Sequence, residues 1–470
     1  MRTFPKIIAT GLIVAACLFL LSPYFVGDVA QKQLDNQIQT LNQESPYVTL
    51  AITDYQRHWF DSTAHLLIDL HSPKGVATPF HKKIFVDAIV EHGPLVNVNG
   101  SVHFAKGALI IKSDTPDFDG SVVYMIDWRN RLIASAHIPF LKFSDSNGNV
   151  YTAQSFQFDT RLASNHIIHT LTFRDLCILI ASKQPLMLDL DNVMITSNKY
   201  QHNNLWLGTL EFFVESGSLM NHATQTTIGS LKQLTLNALC SPGQNQTKLS
   251  SLFNLHIQSV TFMKNTIEPV ILNYGIQNID ANRYKNFMTL FEQSKTMGTL
   301  SSDPNQDMAV LQALAEVVES GFSITVNRFY MGLPSSIASS PLSIHADVTF
   351  DPMDKLAAEG LAPSSAAGFM NMAPLLATTL IKTMHAHAEL SLPQNLIKEG
   401  LVLHYAAFTQ QPEVLGDAAY TYLVTHHMLI PNGHDSVSIN LSFDNSKPLI
   451  NGQKPALQLP MPTQIAGKKS

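Results

Sequence analysis

Two periods of apolar residues organise the chain, one helical and one of two. The twenty residues from Ile7 to Val26 run without a single charge. At helical rise such a run spans about 30 Å, the thickness of a bilayer's hydrocarbon core, and predicts a membrane-spanning helix. Arg2 and Lys6 precede it and Asp28 follows. The positive-inside bias then reads residues 1–27 as a cytoplasmic tip and signal anchor, with the rest of the chain across the membrane. Ala30, Leu34, Ile38 and Leu41 recur at helical spacing, predicting a short amphipathic helix over residues 28–46. Ser45-Pro46 closes it, because proline drives its predecessor out of the α region. That helix suits a stalk, a stripe for a homodimer, or a cap on one end of a sheet.

From Tyr47 the period changes to two. Val48, Leu50 and Ile52 alternate with Thr49, Ala51 and Thr53. Strands are expected again at 95–99, 109–111, 122–126, 155–158, 169–173, 207–212 and 231–236. Turn residues such as Asp145-Ser146-Asn147-Gly148-Asn149 separate them, so residues 47–280 read as antiparallel meanders with one wet face. No βαβ rhythm appears, which argues against a Rossmann-like core. Helical spacing returns with Phe287, Leu290 and Phe291, then with Leu311, Leu314 and Val318 behind Ser302-Asp303-Pro304. Gly321 is placed to end that second helix. Strands resume at 322–326 and 342–350, and an apolar helical zone follows from Met353 to Met384. Residues 281–460 thus form an α+β region, and 461–470 a disordered tail. The expected fold is mainly β, an extended or rolled antiparallel sheet with helical insertions and one amino-terminal transmembrane helix.

A cleaved signal is the alternative to the anchor. Val14-Ala15-Ala16-Cys17 fits a lipoprotein cleavage pattern, but Leu18-Phe19-Leu20-Leu21 continues the apolar run past it, which favours retention. Charged residues make up only 14% of the chain, against about 25% in ordinary soluble domains. Net charge is −6 and no Lys/Arg cluster occurs, which excludes a nucleic-acid partner. Outside the anchor only Cys177 and Cys240 remain. They either pair in an oxidising compartment or stay as buried thiols.

Catalytic templates are absent: there is no G-x-S-x-G elbow, phosphate loop, G-x-G-x-x-G or H-E-x-x-H, and no cofactor is implied. The sharpest chemical candidate is His385-Ala386-His387-Ala388-Glu389. On a strand His385, His387 and Glu389 share one face and offer a two-histidine, one-carboxylate metal set. The plainer reading is a polar strand face alternating with Ala386, Ala388 and Leu390. A second candidate is Tyr55, Arg57 and Trp59, which on one strand face would hold a cation between two rings. That arrangement either locks the first strands or makes a binding platform for an acidic or lipid head group.

The stretch Tyr55-Gln56-Arg57-His58-Trp59-Phe60-Asp61-Ser62-Thr63-Ala64 resembles the signature of the YdgA-type family of bacterial membrane-anchored proteins, with His58 where that family carries glycine. Glu91-His92-Gly93-Pro94 and Leu449-Ile450-Asn451-Gly452-Gln453-Lys454-Pro455 are similar to two later elements of the same family, in the same order. The resemblance implies a periplasmic protein held in the inner membrane, of unknown biochemical role, and lends no catalytic residue.

The expected function is therefore a non-enzymatic binding module of the cell envelope, held in the inner membrane by residues 7–26, with lipid or another envelope component as its ligand. A metal-dependent enzyme using the His385, His387 and Glu389 face, and a structural partner of other envelope proteins, are the alternatives. Alkaline phosphatase fused after Gly100 should be active, since the charge pattern places that residue outside the cytoplasm. Activity from a cytoplasmic reporter alone at the same junction would refute the placement.

Overall fold

The computed structural model describes most of residues 48–454, leaving out 59–60, 72–80, 93–95, 99–100, 104, 116–117, 128, 130, 145–147, 164, 183, 204, 244–246, 296–303, 339, 353–382, 407, 410, 434 and 445–446. Before residue 48 it describes 31, 32, 35, 36, 38, 39 and 42, all helical. The expected anchor at 7–26, the apolar zone 353–382 and the tail 461–470 lie outside the described residues. Among the described residues no helix is long and apolar enough to cross a membrane. The chain divides into two units, residues 1–226 with 296–299, and residues 227–295 with 300–470.

The first unit is built from strands β1 (Val48–Arg57), β2 (Asp61–His71), β3 (His81–His92), β4 (Val96–Val98), β5 (Ser101–His103) and β6 (Ala105–Thr115). It continues with β7 (Phe118–Asp127), β8 (Leu132–Ser144), β9 (Val150–Ala163), β10 (His166–Ile180), β11 (Leu186–His202) and β12 (Leu205–Asn221). Each of β1, β2, β3 and β6 to β12 pairs antiparallel with the next in that series, a meander with no crossover. Period-two patterning and short connections dictate this, since antiparallel neighbours need only a hairpin to join them. The β4–β5 hairpin stands apart from the meander, with Val96 fully buried against Ala108 and Met125. On the edge of β1 away from β2, the Asn42 carboxamide donates to the Leu50 carbonyl at 2.8 Å and accepts from the Leu50 N–H at 2.7 Å.

The second unit opens with β13 (Thr226–Pro242), β14 (Lys248–Phe262), β15 (Asn265–Ile267) and β16 (Val270–Asp280), then helices α1 (Ala281–Lys295) and α2 (Pro304–Glu319). There follow β17 (Phe322–Met331), β18 (Leu342–Phe350), β19 (Met384–Pro393), helices α3 (Gln394–Ala406) and α4 (Pro412–Thr425), and β20 (Ile430–Pro431), β21 (Ser436–Asp444) and β22 (Lys447–Ile450). Strands β13, β14, β16, β17, β18, β19 and β21 form an antiparallel series in that order, while β20 and β22 share the far side of β21. The helices pack in pairs. Arg283 of α1 donates to the Glu316 carbonyl of α2 at 2.6 Å and faces the buried Glu319 carboxylate at 3.7 Å. Gly321, two residues past α2, has φ +70, the left-handed conformation that ends a helix without a Cβ penalty. Between α3 and α4, a Cβ at Gly416 would come within 2.7 Å of Val402, so only glycine allows the two helices this approach. Tyr420, Leu429 and Val437 pack with Leu392, Ile397 and Leu401, seating both helices on β19 and β21.

One turn shows how the meander is pinned. Asp127, at the end of β7, accepts the backbone N–H groups of Arg129 and Arg131 at 2.8 Å each and the Arg131 guanidinium at 2.6 Å. Burial alone would push its carboxyl up, but those donors outweigh it and hold the group below the usual carboxylate range. Asp127→Ala should therefore cost about 1.5–3 kcal/mol in denaturant unfolding, the range for hydrogen bonds to a charged group. Because the folded value is depressed, the contribution is present above about pH 4 and fades as pH falls through that value. The wild-type margin over the variant should shrink accordingly in acid.

Candidate functional site

The register of the first unit sorts its side chains into two unlike faces. Tyr55, Ala64, Ala88, Ile111, Val122, Ala136, Phe158, Leu171, Ile195 and Phe212 stand opposite one another from strand to strand, an unbroken apolar row across ten strands. Two residues along, Ile138 faces Phe156, and Phe173, Val193 and Val214 form a parallel apolar row. The next row inward on the opposite face reads Gln56, Thr63, Ile89, Ile110, Val123, Ser135, Asp159, Thr170, Thr196 and Glu211. It is polar at both ends and apolar only in the middle, on the face where Val96 of the β4–β5 hairpin packs.

Burial along the apolar face is graded. Near β1 to β3 the small and branched residues are shut in, with Ala64, Leu66, Val86 and Ala88 buried and Ile52, Tyr55 and Ile68 packed around them. Towards β9 to β12 the large ones are half-buried: Phe156, Phe158, Leu171, Phe173, Ile195 and Phe212. Phe156 and Phe173 meet with ring centroids 5.2 Å apart. The core clusters described for this unit contain only strand residues, whereas α3 and α4 cover the corresponding apolar side of β19 and β21 in the other unit.

The sequence-predicted residues Tyr55 and Arg57 do lie on this face. Tyr55 pairs with Ala64 and Arg57 with Ser62, so the signature is a β1–β2 hairpin whose small partners lie opposite its large ones. Ser62 and Ala64 are 0% and 1% exposed, which leaves no room for larger side chains. The Tyr55 hydroxyl is buried without a hydrogen-bond partner among the described residues. Strand β1 ends at Arg57, and Trp59 and Phe60 fall outside the described residues, so the aromatic–cation ladder can be followed only as far as Arg57. His58 donates its N–H to the Asp61 carbonyl at 2.9 Å and sets its ring 3.1 Å from the Asp61 carboxylate.

His385, His387 and Glu389 alternate along β19 but do not converge on a point. Asp351 and Asp444 stand at opposite nitrogens of the His385 ring, at 3.0 and 2.5 Å, and His387 lies 3.5 Å from Glu389. Among the described residues no three His, Cys, Asp or Glu side chains form a group that could hold a metal ion. His385 instead ties the end of β18 to β21, beside the hydrogen bond from the Asp351 N–H to the Thr383 carbonyl at 3.1 Å. Cys177 and Cys240 are free thiols, and burial pushes both up from the ordinary thiol value.

Residues 5–458 match the model of a family described as a bacterial protein of unknown function, DUF945. No curated protein matches the chain.

Hydrogen bonding to Asp351, with the added field of Asp444, raises the His385 imidazole above its ordinary value near 6.5. A raised histidine stabilises the fold below its unfolded value and loses that contribution as pH climbs through the folded one. His385→Gln should therefore melt earlier than wild type at acidic pH, and the gap should close above neutrality. Melting curves between about pH 5 and 9 check this, and a pH-independent gap would refute the ionic tie.

Proposed function

The chain belongs to the DUF945 family of bacterial proteins, and we propose that it serves as a non-enzymatic binding module of the cell envelope that holds an acyl chain along the apolar face of its first unit. Residues 7–26 anchor it in the inner membrane and the remainder works in the periplasm. The observation that supports this reading is the unbroken row from Tyr55 to Phe212, only half-buried over its aromatic end. Soluble monomers seldom leave contiguous apolar area beyond a few hundred Å² uncovered without a use for it. Each methylene laid on such a face contributes about 0.8 kcal/mol, so even a partly seated chain binds. The apolar segment Phe369–Met384, which suggested lipid handling from sequence, lies outside the described residues apart from Thr383 and Met384, so the first unit carries the reading.

Photo-crosslinking in cells tests it. A benzophenone amino acid replacing Leu171 or Phe212 in the full chain should capture lipid, seen as a discrete mass increase. The same group at Thr170 or Glu211, on the opposite face, should not. Equal labelling from both faces, or no lipid adduct from either, would reject acyl-chain binding.

A further inference from the structure

Across the second unit, two adjacent rows of one face are largely polar where they reach β17 to β21. Asn237, Asn254, Asn273 and Arg328 stand opposite one another on β13, β14, β16 and β17. Beyond the irregularity at Asn327 and Arg328 the series resumes as His345, Glu389 and Asn440. The neighbouring row carries Tyr330, Ser343, Ser391 and Ser438. A cleft of about 560 Å³ lies where these two rows cross β17, β18, β19 and β21. That volume is typical of a small-ligand site, for which roughly 300–1,000 Å³ is usual.

The chemistry of the lining narrows the occupant. Strands β18 and β19 are paired on both sides, so their backbone groups are engaged in the sheet and side chains must do the recognising. Most of the polar ones lining the cleft, Asn327, Asn432, Asn440, Ser343, Ser391 and Ser438, are carboxamides and hydroxyls, which both donate and accept. A saccharide hydroxyl does the same. Arg328 and Glu389 both line the cleft, one cation against one carboxylate, so the lining holds no excess positive charge that would favour an anion such as phosphate. Tyr330 adds a flat apolar ring, held beneath the Arg328 guanidinium at 5.1 Å from its centroid, against which a sugar's C–H face can lie.

We propose that this cleft binds a neutral oligosaccharide, with Tyr330 as the stacking platform and Asn327, Glu389 and Asn440 as hydrogen-bonding partners. The site lies in the second unit and is independent of acyl-chain binding by the first. Calorimetric titration of the full chain, in a sugar-free zwitterionic detergent, with chitotetraose and with maltotetraose tests it. At least one should bind saturably, and both Tyr330→Ala and Asn440→Ala should weaken that binding by about tenfold or more at unchanged melting temperature. Arg328→Ala, an exposed position, gives a third readout should either of those variants melt early, and should weaken binding through loss of the stack. No saturable binding of either sugar up to about 10 mM would overturn the proposal. So would binding indifferent to all three variants, or inorganic phosphate binding in preference to both sugars.

Discussion

Cross-strand register is the constraint on which everything else in this molecule rests. In an antiparallel sheet a slip of one residue exchanges the two faces of a strand entirely. Nine successive pairings in the first unit hold the row from Tyr55 to Phe212 apolar from end to end. A single slip between β9 and β10 would set Phe158 opposite Thr170 or Thr172 in place of Leu171. The anchored turn at Asp127 and the hairpin at Arg57–Ser62 resist such slips locally, while side-chain matching resists them across the sheet.

Both units use the same amphipathic plan but finish it differently. In the second, Leu236, Leu255, Leu272, Phe329, Ile344, Leu390 and Ile439 form an apolar row, and helices α3 and α4 pack over its β19–β21 end. Its other face is rich in asparagine, serine and histidine. The low charge content of the chain follows from this plan, since such uncharged side chains hydrate a wide strand surface without building a repulsive field.

The strands were legible because a period of two is a local signal. Val122–Ile126 and Leu207–Phe212 sit inside β7 and β12, and Pro304 and Gly321 bracket α2 as their turn chemistry requires. Helices α3 and α4 escaped notice: Leu396, Ile397, Leu401 and Val402 have helical spacing, but His404, Tyr405 and Phe408 interrupt the contrast between faces. Pro412 at the start of α4 was the available signal. The apolar rows were not legible at all, because they join residues from ten strands through long-range pairing that no window along the chain contains. His385, His387 and Glu389 illustrate the same limit, since sequence puts them on one face but cannot show that Asp351 and Asp444 occupy both nitrogens of His385.

The Asn42 side chain on β1 has a bearing on how many copies of this chain can come together. An edge strand with free N–H and carbonyl groups is a template for another strand, in its own kind or in a stray peptide. At Leu50 both groups are already taken by one carboxamide, which imitates the peptide unit of a neighbour without offering a further edge. A strand seeking to pair there meets an edge already occupied at Leu50 by the same polypeptide. Continuing one sheet into another at Leu50 would first require that carboxamide to let go, a cost that contacts between side chains on the faces do not carry.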